Sequence, residues 1–489
     1  MIEPVPGTAT YPDPVRHWAR HAPDRTALRT SEQDWTWAML EEVVSEAARD
    51  LFRAGVDPAV PASIEARDAL TIAVLLHAVH RVGAMAVPIG SRLAEEEADR
   101  IRAEAGVGHR LQGLVLRLGS GSGAPAAAPP DLARRLDAPA ICCFTSGTTG
   151  APRGAVLTHG NLVASARASA ANLTAREDDL WLLCMPLHHV GGLSILTRGA
   201  LYGTGVLLQD GFDPAAVNEA IDRAGVTLVS FVPPMLERVL RGRGNRRFPE
   251  TLRAALIGGG PCPPALLEEA AALGLRALPT YGLTETASQV TTLPPGEWPR
   301  GLDTVGRPLP GIELELRDAS GRALGPGAEG EIVVRGPVIM AGYLDDRAAG
   351  RDSLDRGWLH TGDLGMWDDE RRLVILDRRT DRIVAGGENV SPAEVEAVLS
   401  AHPAVAEACV VGIPSGAWGH DVAAAVRLRP GASVTLEALR DFATPRLSRI
   451  KLPRRLLVVA ELPRSASGKV LRRVVRDWFR SQVPEENRT

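Results

Sequence analysis

Ten consecutive residues, Thr145 to Gly154, read TSGTTGAPRG and carry four hydroxyls, three glycines and one cation. Backbone N–H groups and side-chain O–H groups in such a run can converge on a multiply charged anion with no bulky side chain in the way. The apolar run Ile141 to Phe144 before it reads as a buried strand that ends where the small residues begin. A polyphosphate is the natural guest, with Thr145, Ser146, Gly147, Thr148, Thr149 and Gly150 as its cradle and Arg153 as its counter-charge. No Gly-Lys-Ser/Thr closes the run, so it is not a Walker A loop, and a plain surface loop can share its composition.

Other stretches offer chemistry that suits a nucleotide. YGLTET, Tyr281 to Thr286, supplies an aromatic face for a base (Tyr281), a glycine for close approach (Gly282), a hydroxyl for phosphate (Thr284) and a carboxylate for Mg²⁺ (Glu285). Alone, Glu285 could equally be a solvated turn carboxylate. The glycines Gly258, Gly259 and Gly260 either let an adenine ring lie close to backbone or make a tight strand-to-helix turn. In WLHTGDLG, Asp363 can accept two hydrogen bonds from a ribose diol, although Asp is also a favoured turn residue. The adjacent His188 and His189 of MPLHHVGGLSIL do not share a helix face as an HExxH pair does, which argues against zinc. The densest cation run, RGRGNRR from Arg241 to Arg247, is either a solvated loop or a phosphate contact.

In order and spacing, TSGTTGAPRG, YGLTET, WLHTGDLG, LDRRTDRI, GGEN (Gly386 to Asn389) and PRSASGK (Pro463 to Lys469) resemble the motif set of the adenylate-forming superfamily, and the resemblance spans about 145 to 475. That superfamily includes acyl-CoA synthetases, luciferases and peptide-synthetase adenylation domains. The resemblance implies an AMP-forming acid–thiol ligase that uses ATP, Mg²⁺ and coenzyme A. It places Tyr281, Gly259 and Gly260 near adenine, Thr284 on the α-phosphate, Glu285 on Mg²⁺, and Asp363 and Arg378 on ribose. It makes Lys469 the adenylation lysine, Gly386 the approach to the pantetheine thiol, and His189 the gate of the acyl pocket. Arg153 stands where the family usually has Lys, and Thr380 where the hinge residue is often Asp or Lys. MPLHHVGGLSIL together with YGLTETASQVTTL is most similar to the o-succinylbenzoate-CoA ligases of menaquinone biosynthesis. An aromatic or compact carboxylic acid is therefore expected as substrate, with a carrier-protein phosphopantetheine as the alternative acceptor to CoA.

Positioning these motifs takes several elements. At 489 residues, with 45% apolar and 23% charged residues, the chain is long enough for more than one domain and too apolar to be disordered. Leu40, Val44, Ala47 and Leu51 have helical spacing over 36–54, and another helix is predicted over 68–82 ahead of a strand at 84–88. Beyond residue 180, short apolar strands alternate with helices, which predicts a parallel sheet covered on both faces with ligands at the strand carboxyl ends. From about Asp303 the texture changes to alternating strands with Gly/Pro turns. The expected fold is α/β: a large domain, 1–377, with layered parallel sheets and an antiparallel subdomain, then a small mobile α+β lid, 378–489. In the lid, Ser391, Pro392 and Glu394 form a capping-box signature.

Composition narrows the partners. A net charge of −4 gives no global attraction to nucleic acid or anionic membranes. No run of about 18 apolar residues and no secretory leader is evident, so a cytoplasmic protein without membrane contact is expected, as monomer or homodimer. The five cysteines are odd in number and mostly within apolar runs, which reads as small buried hydrophobes in a reducing compartment.

Overall fold

The computed structural model describes residues 1–5, 8–113, 133–146, 152–260, 262, 264–318, 320–344, 354–377, 383–390, 392–415, 419–463, 470 and 472–481. Gly147, Thr148, Thr149, Gly150, Arg378, Thr380, Ser391 and Lys469 lie outside the described residues. The chain divides into two compact units, one of Met1–Ser91, Arg102–Cys143 and Gly154–Leu376, the other of Arg92–Ile101, Phe144–Arg153 and Asp377–Thr489.

In the larger unit a nine-stranded sheet runs in the order Arg307–Pro308, Thr291–Thr292, Ala277–Tyr281, Ala254–Ile257, Leu228–Phe231, Leu180–Leu183, Gly205–Leu208, Thr26–Arg29 and Asp34–Thr36. Its centre is parallel, as the strand–helix alternation predicts. Successive side chains of a strand face opposite ways, so Trp181 and Leu183 enter one apolar core while Leu180 and Leu182 enter the other. Both faces being covered, these strands read as unbroken apolar runs. The carboxyl ends of Leu180–Leu183, Ala254–Ile257 and Ala277–Tyr281 share one edge, and the turns that hold His188 and His189, Gly258 to Gly260, and Gly282 to Glu285 leave from it.

A six-stranded sheet, Gly342–Tyr343, Pro152–Thr158, Pro139–Ser146, Ala86–Pro88, Ala62–Ile64 and His109–Leu111, carries the two strands that flank the TSGTTG segment. Helices Trp37–Arg53 and Ala69–Arg81 occupy the stretches predicted for them, capped by Thr36 and Asp68, whose side chains accept from the Met39 and Thr71 amides. Gly55, at φ +77°, ends the first of them. The antiparallel part consists of Glu313–Arg317, Glu329–Arg335, Trp358–Trp367 and Leu354–Asp355, with Leu373–Asp377 also on Trp358–Trp367.

The smaller unit has a sheet of Glu388–Val390, Ile383–Ala385, Gly419–Leu428 and Val405–Ser415, with Arg455–Val459 parallel to Gly419–Leu428. Its helix Pro392–Ser400 begins at the proline that the sequence marks. Glu394, in the first turn of that helix, is buried and accepts from Lys451 Nζ at 3.0 Å, and Lys451 also pairs with the buried Glu97. Burial raises the Glu394 carboxyl to about 7 and lowers the Lys451 ammonium to about 8. None of the five cysteines forms a disulfide, and burial pushes the thiols of Cys143, Cys184 and Cys262 up to about 12. These are packing residues, as their apolar setting in the sequence implies.

Candidate active site

Two carboxylates anchor the site in the larger unit. Asp363 lies within strand Trp358–Trp367 and Glu285 in the short 3₁₀ turn Thr284–Thr286, and only 5% and 6% of their surface is exposed. Each is held through one oxygen by a phenol: Tyr281 Oη donates to Asp363 Oδ2 at 2.7 Å, and Tyr343 Oη to Glu285 Oε1 at 2.8 Å. Neither carboxylate has an ion-pair partner among the described residues, so the second oxygen of each keeps its acceptor capacity. The Thr284 hydroxyl likewise makes no hydrogen bond among the described residues.

The turn that carries Glu285 is folded tightly. Ala287 and Ser288 have φ of +49° and +106°, a conformation that is costly for non-glycine residues and tends to persist where function requires it. The Ser288 carbonyl oxygen sits 1.6 Å from where a Cβ on Gly282 would lie, so Gly282 is required by the turn itself. Thr286 Oγ1 both accepts from the Leu283 amide at 2.9 Å and donates to its carbonyl at 3.0 Å, which locks the loop. In the glycine run, a Cβ on Gly258 would meet Thr280 Cγ2 at 2.7 Å, and Gly259 has φ +77°. Gly258 therefore serves packing against Thr280 at the end of the neighbouring strand, and Gly259 makes the left-handed turn that follows.

His189 caps helix Val190–Tyr202 by position but makes no side-chain cap bond. Its Nε2 is buried without a partner, its ring is 4.1 Å from that of His188, and burial lowers its pKa to about 4. It is a neutral imidazole at physiological pH. Gly90 packs on His188, whose ring lies 2.9 Å from where a Cβ would be.

One residue at the site has no counterpart among the sequence candidates. Arg198, on the same helix as the His189 turn, is 2% exposed and has no acidic partner among the described residues. Its Nε is buried without a hydrogen bond, its Nη2 lies 3.4 Å from both Ser165 Oγ and Ser288 Oγ, and its guanidinium is 5.7 Å from the Trp181 ring centroid. Burial lowers its pKa, with Tyr202 opposing. The available signal is that helix Val190–Tyr202, VGGLSILTRGALY, places one cation in an apolar sequence with no acid to pair it.

In the smaller unit, Thr145 Oγ1 donates to the Arg153 carbonyl at 3.4 Å and so ties together the two ends of the TSGTTG segment. Gly386 and Gly387, at φ +57° and +85°, form the two-residue turn of the hairpin that pairs Ala385 with Glu388. The Arg241 to Arg247 run resolves into scaffold contacts. Arg243 is buried against Asp222 and Asn218, Arg246 pairs with Asp222, and Arg241 pairs with Glu237.

Profiles of two families match: AMP-binding enzyme over residues 15–344, and AMP-binding enzyme C-terminal domain over 394–469. The chain belongs to the AMP-binding enzyme family. It is 38% identical to a 2-succinylbenzoate–CoA ligase of Bacillus cereus over 482 residues, covering 96% of this chain and 98% of that protein. A double mutant of the o-succinylbenzoate CoA synthetase of Bacillus subtilis, solved with its product analogue OSB-NCoA, superposes with a TM-score of 0.90 at 36% identity, covering 95% and 98% of the two chains. The same synthetase with ATP and magnesium ion gives a TM-score of 0.71 at 35% identity, over 94% and 98%. The class read from the motifs, an AMP-forming acid–thiol ligase using ATP, Mg²⁺ and coenzyme A, is the class of these family members, and the chain shares it.

Glu285 tests whether Mg²⁺ suits this chain. Its carboxylate is buried, is oriented by a phenol and has no competing cation among the described residues, and Mg²⁺ in phosphate sites is usually held by one or two carboxylates with phosphate oxygens completing the shell. The residues fit the ion. No helix among the described residues is long and apolar enough to cross a membrane.

Proposed function

We propose that the chain joins 2-succinylbenzoate to coenzyme A. In the first step an oxygen of one substrate carboxylate attacks the α-phosphorus of ATP, and the bond to pyrophosphate breaks with its electrons on the leaving group. In the second the thiol sulfur of CoA attacks the acyl carbon, AMP leaves, and the thiol proton is released. Asp363 and Tyr281 hold ribose and adenine, with Gly259 and Gly260 at the base, while Thr284 and the Thr145 to Gly150 segment receive phosphate oxygens. Bound Mg²⁺ offsets phosphate charge beside Glu285. Following the family pattern, Arg378 contacts ribose, Lys469 lies between carboxylate and α-phosphate in the first step, and Gly386 borders the thiol in the second. Residues 1–377 act as the nucleotide and acyl domain and 378–489 as the lid. Five cysteines without a disulfide support a cytoplasmic setting, and the active species is a monomer or homodimer.

The choice of acid rests on Arg198. The substrate named for the relatives has two carboxylates, only one of which reacts, and the other must be buried with it. A buried guanidinium without an acid of its own, lined by the Ser165 and Ser288 hydroxyls, supplies the missing counter-charge and a bidentate fork for it.

The test compares 2-succinylbenzoate with 4-oxo-4-phenylbutanoate, which lacks the ring carboxylate, by pyrophosphate release and thioester mass. Wild-type protein is expected to favour the diacid by about a hundredfold or more. Arg198→Met is expected to erase that preference by losing the diacid alone. Equal use of both acids by the wild type, or an intact preference in the variant, would remove the assignment. Lys469→Ala is expected to abolish acid-dependent pyrophosphate release with either acid.

A further inference from the structure

The chain has only four tyrosines, and two of them spend their hydroxyls on the two carboxylates of the nucleotide site. Buried carboxylates of the scaffold are held differently: Asp13 by Arg81 and Arg134, and Asp179 by Arg253. An arginine fixes a carboxylate but also neutralises it. A phenol donates one hydrogen bond, fixes the orientation and leaves the negative charge available to a cation.

Tyr343 is itself held firmly enough to orient another group. It sits on the two-residue strand Gly342–Tyr343, where Tyr343 pairs with Ala155 just after Arg153 in the chain. The Leu344 amide donates to the Gly154 carbonyl at 2.9 Å, and the Met340 amide to the Glu285 carbonyl at 2.9 Å. Upstream, Asn161 Nδ2 donates to the carbonyls of Pro337 and Ile339 at 2.8 and 2.7 Å. The segment 337–344 is thus bonded to the backbone of Glu285 and to the strand that leaves the TSGTTG segment, and Tyr343 adds a contact to the Glu285 carboxylate itself.

We infer that Tyr343 is a positioning residue for the reaction: its hydroxyl turns the Glu285 carboxylate so that Oε2 meets Mg²⁺ of the bound nucleotide with its charge undiminished. The inference rests on the reading of Glu285 as the Mg²⁺ carboxylate, so its test separates the two. In the full-length protein, ATP binding is titrated calorimetrically across a range of Mg²⁺ concentrations for wild type, Tyr343→Phe, Glu285→Gln and the double variant, with AMP titrated in parallel. Because AMP does not require the ion, its stoichiometry counts folded sites even if a variant is less stable.

Tyr343→Phe is expected to raise the Mg²⁺ concentration for half-maximal strengthening of ATP binding by about tenfold, with AMP affinity changed less than twofold. Glu285→Gln is expected to remove most of the Mg²⁺ response, and adding Tyr343→Phe to it to do nothing more. A Tyr343→Phe curve that superposes on wild type, an equal loss for AMP and ATP, or a further loss in the double variant would overturn the role of Tyr343 while leaving Glu285 in place. A wild-type curve indifferent to Mg²⁺, or a Glu285→Gln curve that keeps the full wild-type Mg²⁺ response, would overturn both readings.

Discussion

Two regions of the larger unit bury charge and treat it oppositely. Near the amino terminus, Asp13 accepts from Arg81 Nη2 at 2.9 Å and from Arg134 Nη2 at 2.7 Å, while Arg81 also reaches Glu41 at 2.7 Å. Burial alone would raise the Asp13 carboxyl, but the charges of Arg134 and Arg81 hold it well below the usual carboxylate range. At the proposed nucleotide and acyl site, Glu285 and Asp363 have phenols and Arg198 has serine hydroxyls, and none of the three has an opposite charge among the described residues. Both regions exclude water, so burial does not distinguish them. The scaffold saturates its charges with one another, whereas the site holds them with neutral groups and leaves saturation to the ligand.

Breaking the saturated knot should give the largest effect. Asp13→Ala leaves Arg134 and Arg81 short of a counter-ion in an apolar setting and removes the cap of helix Pro14–His21, and stability should fall by about 3–5 kcal/mol. A urea midpoint measures this. The fraction that stays folded should keep its KM for ATP, because the knot touches no ligand group. Arg198→Met should behave in the reverse manner. Its kcat/KM for the diacid should drop about a hundredfold with KM for ATP within twofold, as expected when an interaction with one substrate alone is lost.

Acid sharpens the same contrast. Burial holds His77 and His159 down to about 3 against an ordinary value of 6.5, with the Arg134 charge adding to it in each case. His80, lowered chiefly by burial and next by His159, lies well below its ordinary value as well. Because the folded values are depressed, the stability these imidazoles contribute is fully present above 6.5 and drains as pH falls from there towards 3. Asp13 behaves similarly but only below its ordinary 3.8, so the histidine limb is reached first. Melting scans in this window should show a slope that His77→Phe reduces by about 1.4 kcal/mol per pH unit, since its Nδ1 has no partner to lose.

Tyr281→Phe isolates the phenol that holds Asp363. The ring proposed to face the base survives and the carboxylate loses only its orienting donor, so ATP affinity should fall about tenfold while discrimination between ATP and 2′,3′-dideoxy-ATP shrinks. A variant that lost affinity for both nucleotides equally would instead point to a general packing defect.

The motifs were legible through their order and spacing along the chain rather than one by one, since Glu285 or Asp363 read alone could be a turn carboxylate; both are buried in the larger unit. Helix Trp37–Arg53 was legible because Leu40, Val44, Ala47 and Leu51 recur at the helical period, and all four are buried. Arg198 was hidden by its surroundings, since a single cation within LSILTRGALY reads as part of an apolar helix until its lack of an acid is noticed. Tyr343 was hidden for another reason: its partner is 58 residues away, and only the pairing of Gly342–Tyr343 with the strand after the TSGTTG segment brings it there. Gly282 was read for ligand approach and the run Gly258 to Gly260 either for that or for a tight turn, and Gly282 and Gly258 are required by their own turns and neighbours. A ligand's demand and a turn's demand select the same residue.

The smallest expected effect is the most telling, because its sign is unusual for a core substitution. Truncating a buried side chain normally destabilises, and removing one member of a buried ion pair does so strongly. Arg198 has no pair to break among the described residues: its Nε makes no hydrogen bond there, its two serine contacts are long, and burial already lowers its pKa. Arg198→Met replaces an unsatisfied cation by an apolar chain of similar reach beside Trp181, and should stabilise the ligand-free protein by about 1 kcal/mol in urea unfolding. Saturating diacid should then reverse the order, raising the wild-type midpoint and leaving that of the variant unmoved, because only the wild type retains the charge that the ligand completes. A ligand-free variant that unfolds earlier than wild type would mean that Arg198 is a scaffold residue after all, and the division between saturated and waiting charges would fail at the point where it was drawn.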